Sequence, residues 1–332
     1  MGLKTVVLNS ERMNYDGKLD LSALSSEVKE YASTEQDQIL ERVQGMDVVV
    51  TKEMPVDGDT IARFPDSVQL ICEAGTGYNN IDIEAARARG ITVCNIPAYS
   101  TERVAHTAIM MILNLSSSMQ IQQAMLARGD RSNFTKCMQV SHVEVNGKVL
   151  GVVGAGTIGR EVIKVAQALG MKVLAYTRTP RADEDNLKYV SLEELLKQSD
   201  YISLHCPLTP QTRHMINKET IAMMKPTAYI INTGRGALID EPALIEALKE
   251  GRIAGAGLDV QETEPPVQDN PLYDMPNVIL TPHMGWKGLE TRQRLVSILA
   301  ANIQAFDDRI IIYEGSYTNY ILYQFKYDEQ VG

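Results

Sequence analysis

The chain has 332 residues, more than one hydrophobic core usually serves, so two domains are the expectation. Its 32 Lys and Arg against 42 Asp and Glu leave a net charge of −10, which repels polyphosphate and anionic lipid and makes nucleic acid and membranes poor partners. Hydrophobic residues are 44% and charged residues 22%, the usage of a folded globular chain and not of a disordered or fibrous one.

Cys72, Cys94, Cys137 and Cys206 are scattered without metal-ligand spacing, so reduced thiols and no metal site are expected. The opening MGLKTVVLNSER has no long apolar run behind a basic start, which reads as no signal peptide, no membrane span and a cytoplasmic protein.

In chain order, short apolar runs predict strands over 5–8, 47–50, 70–73 and 92–95, with a helix over 83–89 that Gly90 stops. A helical, Met-rich stretch over 101–128 follows, long enough to pack deep between domains. A second series of strands runs over 148–153, 172–176, 201–205, 228–232, 253–259 and 277–281. Six strands in about 135 residues are the content of a complete doubly wound dinucleotide domain. A last helix over 289–306 returns the chain to the first domain. The fold class is therefore α/β, with two doubly wound parallel-sheet domains. A Rossmann-type domain, 101–286, is inserted into a flavodoxin-like substrate domain made of 1–100 and 287–332.

The run KVLGVVGAGTIGR (148–160) places a G-x-G-x-x-G directly after an apolar strand and at a helix start. Gly154 permits the tight turn, Gly156 lets the backbone approach a pyrophosphate, and Gly159 lets helix and strand pack closely. The helix N-terminus then presents unpaired N–H groups to the anion. At the end of the next strand, where NAD-selective domains carry an acid, stand Thr177 and Arg178, with Arg181 nearby. A 2′-phosphate would meet cations there, so both NAD and NADP are expected cofactors.

Ligands of open α/β sheets bind beyond the carboxyl ends of the strands. Reduction of a keto acid needs a cation for the carboxylate and an acid for the developing alkoxide. Arg235, flanked by Gly234 and Gly236, suits the first role. His283 suits the second, with Glu264 as the carboxylate that stabilises an imidazolium. His205 reads as packed, His142 and His214 as surface residues, and His106 as part of the long helical stretch.

From about residue 45 to 306 the chain resembles the D-isomer-specific 2-hydroxyacid dehydrogenase family. The resemblance rests on GTGYNNID (75–82), NIPAYST (95–101), GVVGAGTIG (151–159), SLHCPLTPQTRHMIN (203–217), INTGRGALID (231–240), GAGLDVQETEPP (255–266) and TPHMGW (281–286). It implies a catalytic trio at Arg235, Glu264 and His283, and substrate contacts from the Thr76 and Gly77 N–H groups and from Tyr99. It further implies cofactor contacts from Thr157, Ile158, Cys206, Pro207, Thr212, Thr233 and Asp259, and a homodimer. Trp286 and the wording ETEPPVQDNPLY are most similar to the glycerate dehydrogenase, or hydroxypyruvate reductase, branch. Hydroxypyruvate is the expected substrate; a lactate or phosphoglycerate dehydrogenase of the same fold, or a non-catalytic NAD(H)-sensing module, stand as alternatives. Two departures stand out. STERVAHTAIMM looks one residue short of the family pattern, which would turn the following helix by about 100°. The aromatic-rich end, 307–332, lacks the family's usual close.

Overall fold

The computed structural model describes residues 2–179, 181–308 and 322–323, and the chain falls into two compact units. One contains Met1–Ser100 and the chain from Lys287 onward; the other is Thr101–Trp286.

The first unit is built on strands β1 (Lys4–Val7), β2 (Glu27–Glu30), β3 (Val48–Thr51), β4 (Leu70–Glu73) and β5 (Thr92–Cys94). They pair in parallel in the order β2-β1-β3-β4-β5, the flavodoxin-like order. β3 and β4 are buried along their whole length, as strands covered on both faces must be. β2 was not foreseen: its sequence, EVKE, is an exposed edge without an apolar run.

The second unit contains β6 (Val149–Val153), β7 (Lys172–Tyr176), β8 (Leu187–Tyr189), β9 (Tyr201–Leu204), β10 (Tyr229–Asn232), β11 (Gly255–Leu258) and β12 (Val278–Leu280). All are parallel in the order β12-β11-β10-β9-β6-β7-β8, the doubly wound arrangement with its reversal between β6 and β9. The three-residue edge strand β8 was likewise missed. In the tail, Asp307 and Asp308 close the last helix and β13 (Leu322–Tyr323) pairs antiparallel with β5; the rest of the unplaced end lies outside the described residues.

The long helical stretch is not one helix. It divides into Thr101–Ser116 and Met119–Ala127, with Ser118 between them in the left-handed region at φ +49°. The hydroxyls of Ser116 and Ser117 both turn back to the Leu113 carbonyl, at 2.8 and 2.5 Å. Such back-bonding competes with the helix's own ladder. Only the first piece is a core helix. It buries Val104, Ala105, Ala108, Met111, Ile112 and Leu115, a continuous helical stripe, so the apparent shortening near Ala105 and His106 has not turned its apolar face outward. The second piece has no fully buried residue, which corrects the expectation that the whole stretch packs deep.

Arg292, on the helix Leu289–Asp307, is 2% exposed and ties the first unit together. Its guanidinium grips both oxygens of Asp16 at 2.8 and 2.7 Å and also donates to the carbonyls of Met13 and Lys287, each at 3.0 Å. This pairing holds the Asp16 carboxyl down at about 2.

Candidate active site

The glycine turn after β6 separates its three glycines by what surrounds them. Gly154 has φ +100°, and a Cβ on it would stand 2.6 Å from the Cys206 N–H nitrogen, because the carboxyl ends of β6 and β9 meet there. A Cβ on Gly159 would stand 2.0 Å from the Gly154 carbonyl oxygen. At Gly156 a Cβ would meet no protein atom within 4 Å. The first and third glycines thus answer to the protein, and the second leaves a cradle open to a ligand. Thr157 and Ile158 begin the helix Thr157–Ala168, whose first-turn N–H groups face that cradle's end.

The other expected cofactor residues follow at neighbouring strand ends. Thr177, after β7, donates its hydroxyl to the Thr179 carbonyl at 2.7 Å, and Arg178 is exposed and bonds no group among the described residues. Arg160 is engaged elsewhere, by Glu184 at 2.9 and 3.1 Å and by Tyr189. After β9, burial pushes the Cys206 thiol up to about 11, so it remains a neutral thiol. Thr212 closes its own loop by donating to the Pro207 carbonyl at 2.7 Å. After β10, the Thr233 hydroxyl is buried and bonds to nothing among the described residues. An orphaned buried hydroxyl and an open glycine cradle on one crevice fit a dinucleotide.

Arg235 follows on the same turn, which Asn232 clamps. The Asn232 amide donates to the Arg235 carbonyl at 2.9 Å, and its oxygen accepts the Gly234 N–H at 3.0 Å. Sequence reasoning passed over Asn232, although an Asn ahead of a Gly-rich turn is the signal for such a clamp. The next residue, Gly236, fixes the neighbouring loop: a Cβ on it would stand 1.8 Å from the Gln261 carbonyl oxygen. That loop carries Glu264, whose Oε1 accepts the Gln261 N–H at 3.1 Å.

Glu264 and His283 meet. His283 Nδ1 lies 2.8 Å from Glu264 Oε2, and His283 holds a left-handed backbone at φ +48°. Asp259 makes that conformation. Its carbonyl accepts the His283 N–H at 2.9 Å, and its carboxylate takes the Thr281 hydroxyl at 2.5 Å and the N–H groups of Met284 and Gly285 at 2.8 and 2.7 Å. Where the resemblance implied a cofactor contact, the Asp259 oxygens are engaged by the loop that presents His283.

The remaining histidines do not compete. His205 shares a 2.7 Å bond with Ser203 and is held down at about 4 by desolvation. His214 lies 2.6 Å from Glu262, so it is a hydrogen-bonded residue rather than a free surface one; His142 and His106 are exposed. Trp286, three residues after His283, is buried. Thr76, Gly77 and Tyr99 belong to the first unit. The Thr76 and Gly77 N–H groups donate to no acceptor among the described residues, while Tyr99 is buried and its carbonyl accepts from Arg294 at 2.7 Å.

The model of the D-isomer specific 2-hydroxyacid dehydrogenase NAD binding domain matches residues 109–285. The chain belongs to this family. It is 39% identical over 313 residues to a hydroxypyruvate reductase of Blautia hydrogenotrophica, covering 92% of this chain and 97% of that one. It is 40% identical to a glycerate dehydrogenase of Methylorubrum extorquens, covering 92% and 96%. Among solved structures it is similar to a D-lactate dehydrogenase from Aquifex aeolicus complexed with NAD and lactic acid, with a TM-score of 0.78, 31% identity and coverage of 92% and 96%. This 2-hydroxyacid dehydrogenase therefore carries its NAD-binding domain in the second unit, where the glycine turn stands.

Proposed function

We propose that this dehydrogenase interconverts hydroxypyruvate and D-glycerate, with Arg235, Glu264 and His283 as its catalytic groups. The observation that carries the reading is the 2.8 Å contact of His283 with Glu264, on a loop against which the Arg235 turn is packed. The relatives named above, which act by name on hydroxypyruvate or glycerate and span nearly their whole length with this chain, favour that substrate.

A bound nicotinamide supplies or accepts the hydride. Arg235 holds the substrate carboxylate in bidentate fashion and polarises the adjacent carbonyl. In the first unit, the Thr76 and Gly77 N–H groups, which donate to no acceptor among the described residues, are donors suited to a substrate carboxylate. His283, with Nδ1 engaged by Glu264, keeps Nε2 for the carbonyl oxygen and delivers a proton there as the alkoxide develops; in the reverse direction it takes the proton back.

The test is a matrix of NADH and NADPH against hydroxypyruvate, glyoxylate, pyruvate and a branched keto acid, repeated with His283→Ala. Preference for pyruvate or the branched acid would move the chain to another branch of the family. Normal cofactor binding with no turnover of any keto acid would make it a cofactor-sensing module.

The enzyme uses NADPH as well as NADH on this reading, since Thr177 stands where a repelling acid is expected and Arg178 is exposed beside it. A kcat/KM ratio for NADH over NADPH far above one would overturn dual use. It acts as a homodimer in the cytoplasm. Support comes from the exposed apolar side chains Leu113, Met119, Leu126, Phe134, Met138 and Val143, gathered in one segment of the second unit. Sedimentation as a monomer at micromolar concentration would refute the assembly. No helix among the described residues is long and apolar enough to cross a membrane.

A further inference from the structure

Lys52 follows β3 with its charge turned inward. The residue is 2% exposed, and its backbone is held in both directions by Asn9, whose amide donates to the Lys52 carbonyl at 2.6 Å and whose oxygen accepts the Lys52 N–H at 2.9 Å. An ammonium so enclosed has lost most of its water and depends on anionic partners. Glu53 is one, with Oε1 at 2.8 Å from Nζ. Its backbone is left-handed at φ +55°, a conformation a glutamate keeps only when its surroundings hold it there.

Glu73 does that holding. Buried at the end of β4, it accepts the Glu53 N–H on Oε1 at 2.9 Å, and the Thr51 hydroxyl and Asn80 amide on Oε2 at 2.9 and 2.8 Å. Burial pushes its carboxyl up, and the Lys52 charge opposes that push. Its acceptors are occupied by β3, Asn80 and the Glu53 backbone.

The Lys52 ammonium lies against Gly75. A Cβ on Gly75 would stand 2.9 Å from Lys52 Nζ and 3.2 Å from Glu73 Oε1. Gly75 opens the Gly75-Thr76-Gly77 turn, whose last two N–H groups have no acceptor among the described residues. On its other side the turn is fixed by Ile96, whose N–H reaches the Gly75 carbonyl at 2.8 Å, and by Asn95, whose amide reaches the Thr76 carbonyl at 2.7 Å. The turn is gripped between the segment that follows β5 and Lys52.

We propose that Lys52 is a positioning residue of the keto acid site: wedged between Glu53 and Gly75, its ammonium sets the Thr76–Gly77 turn and places positive charge behind the two N–H groups that receive the substrate carboxylate. This rests on the reading of those N–H groups given above. Lys52 passes no proton, so it governs substrate binding and not the chemical step.

The experiment compares Lys52→Met and Lys52→Arg with the unaltered full chain, using the best keto acid at saturating cofactor and oxalate as an anionic inhibitor. Loss of Lys52 leaves Glu73 buried without its cation, so Lys52→Met/Glu73→Gln is measured beside them to keep the interior neutral. The Met variants are expected to raise KM and the oxalate inhibition constant about tenfold or more, with kcat within about threefold and cofactor KM unchanged. Lys52→Arg recovers a large part of the loss. Unchanged KM and inhibition constant in a folded Met variant, or a fall in kcat alone, would overturn the proposal while leaving the site reading intact. An unaltered chain that neither reduces a keto acid nor binds oxalate would overturn the site reading, and the proposal with it.

Discussion

Gly236 and Gln261 approach so closely that a methyl group on the first would stand 1.8 Å from the carbonyl oxygen of the second. The contact is between two backbones, neither of which can swing aside as a side chain would, so it fixes the Arg235 turn against the Glu264 loop. Gly236→Ala is therefore expected to force the two loops apart and lower kcat/KM by about 100-fold, since misplacement of catalytic groups by an ångström costs that much. Cofactor affinity, measured by fluorescence titration, is expected to change little. Retention of full activity by a folded Gly236→Ala enzyme would show that the loops are not coupled through this contact.

Replacing Glu264 by Gln preserves an acceptor for the Gln261 N–H but removes the charge beside His283 Nδ1. Loss of a carboxylate that orients an imidazole is expected to lower kcat by about 10²-fold or more, and His283→Ala by about 10³- to 10⁴-fold. The double variant is expected to be no worse than His283→Ala, because the two residues act as one unit. Single-turnover reduction, followed by the loss of NADH absorbance, measures all three. Additive losses in the double variant would separate the pair.

Two of the turn glycines should fail in different ways. Gly159→Ala places a Cβ 2.0 Å from the Gly154 carbonyl oxygen and is expected to destabilise the second unit, lowering the thermal midpoint by several degrees. Gly156→Ala has open space and is expected to leave the midpoint unchanged while weakening NADH binding. Scanning calorimetry and a binding titration on both variants distinguish folding from cofactor contact. Equal thermal loss at both positions would contradict the assignment.

His205 gives the second unit an acid limit. Its folded-state value, lowered from 6.5 to about 4 by desolvation, means the folded chain keeps the imidazole neutral while the unfolded chain takes up a proton below 6.5. The stabilisation is therefore complete above pH 6.5 and is lost as pH falls towards about 4, a swing on the order of 3 kcal/mol. Urea midpoints at pH 8 and pH 5 are expected to differ more for the unaltered protein than for His205→Gln. Equal differences in the two proteins would place the acid sensitivity elsewhere.

Much of this fold was legible because buried parallel strands announce themselves. The bounds of β4 and β7 coincide with the apolar runs LICE and KVLAY. Edge strands gave no such signal: β2 is EVKE and β8 is LKY, short and partly exposed, and their partners supply the order that their own side chains do not. The break at Ser118 depended on serine hydroxyls choosing a carbonyl one turn back, a choice that periodicity does not register. Within the site, the places of Arg235, Glu264 and His283 after consecutive strands suggested the roles proposed for them, and the structure brings His283 within 2.8 Å of Glu264. The supports could not: Asn232 clamps a turn, Asp259 shapes a loop, and Lys52 carries its charge inward, whereas a charge at the end of an apolar run ordinarily reads as its solvated terminus.

The reversal of strand order between β6 and β9 also divides labour within one sheet. Most residues expected to hold the cofactor follow β6, β7 and β9, with Thr233 and Asp259 after β10 and β11, whereas Arg235, Glu264 and His283 follow β10, β11 and β12. Thr177 and Arg178 follow β7, which β6 and β9 separate from β10. Cofactor preference can thus drift through Thr177 and Arg178 without disturbing the acid that serves the substrate, and a lineage could exchange one nicotinamide currency for the other while its reaction stayed the same.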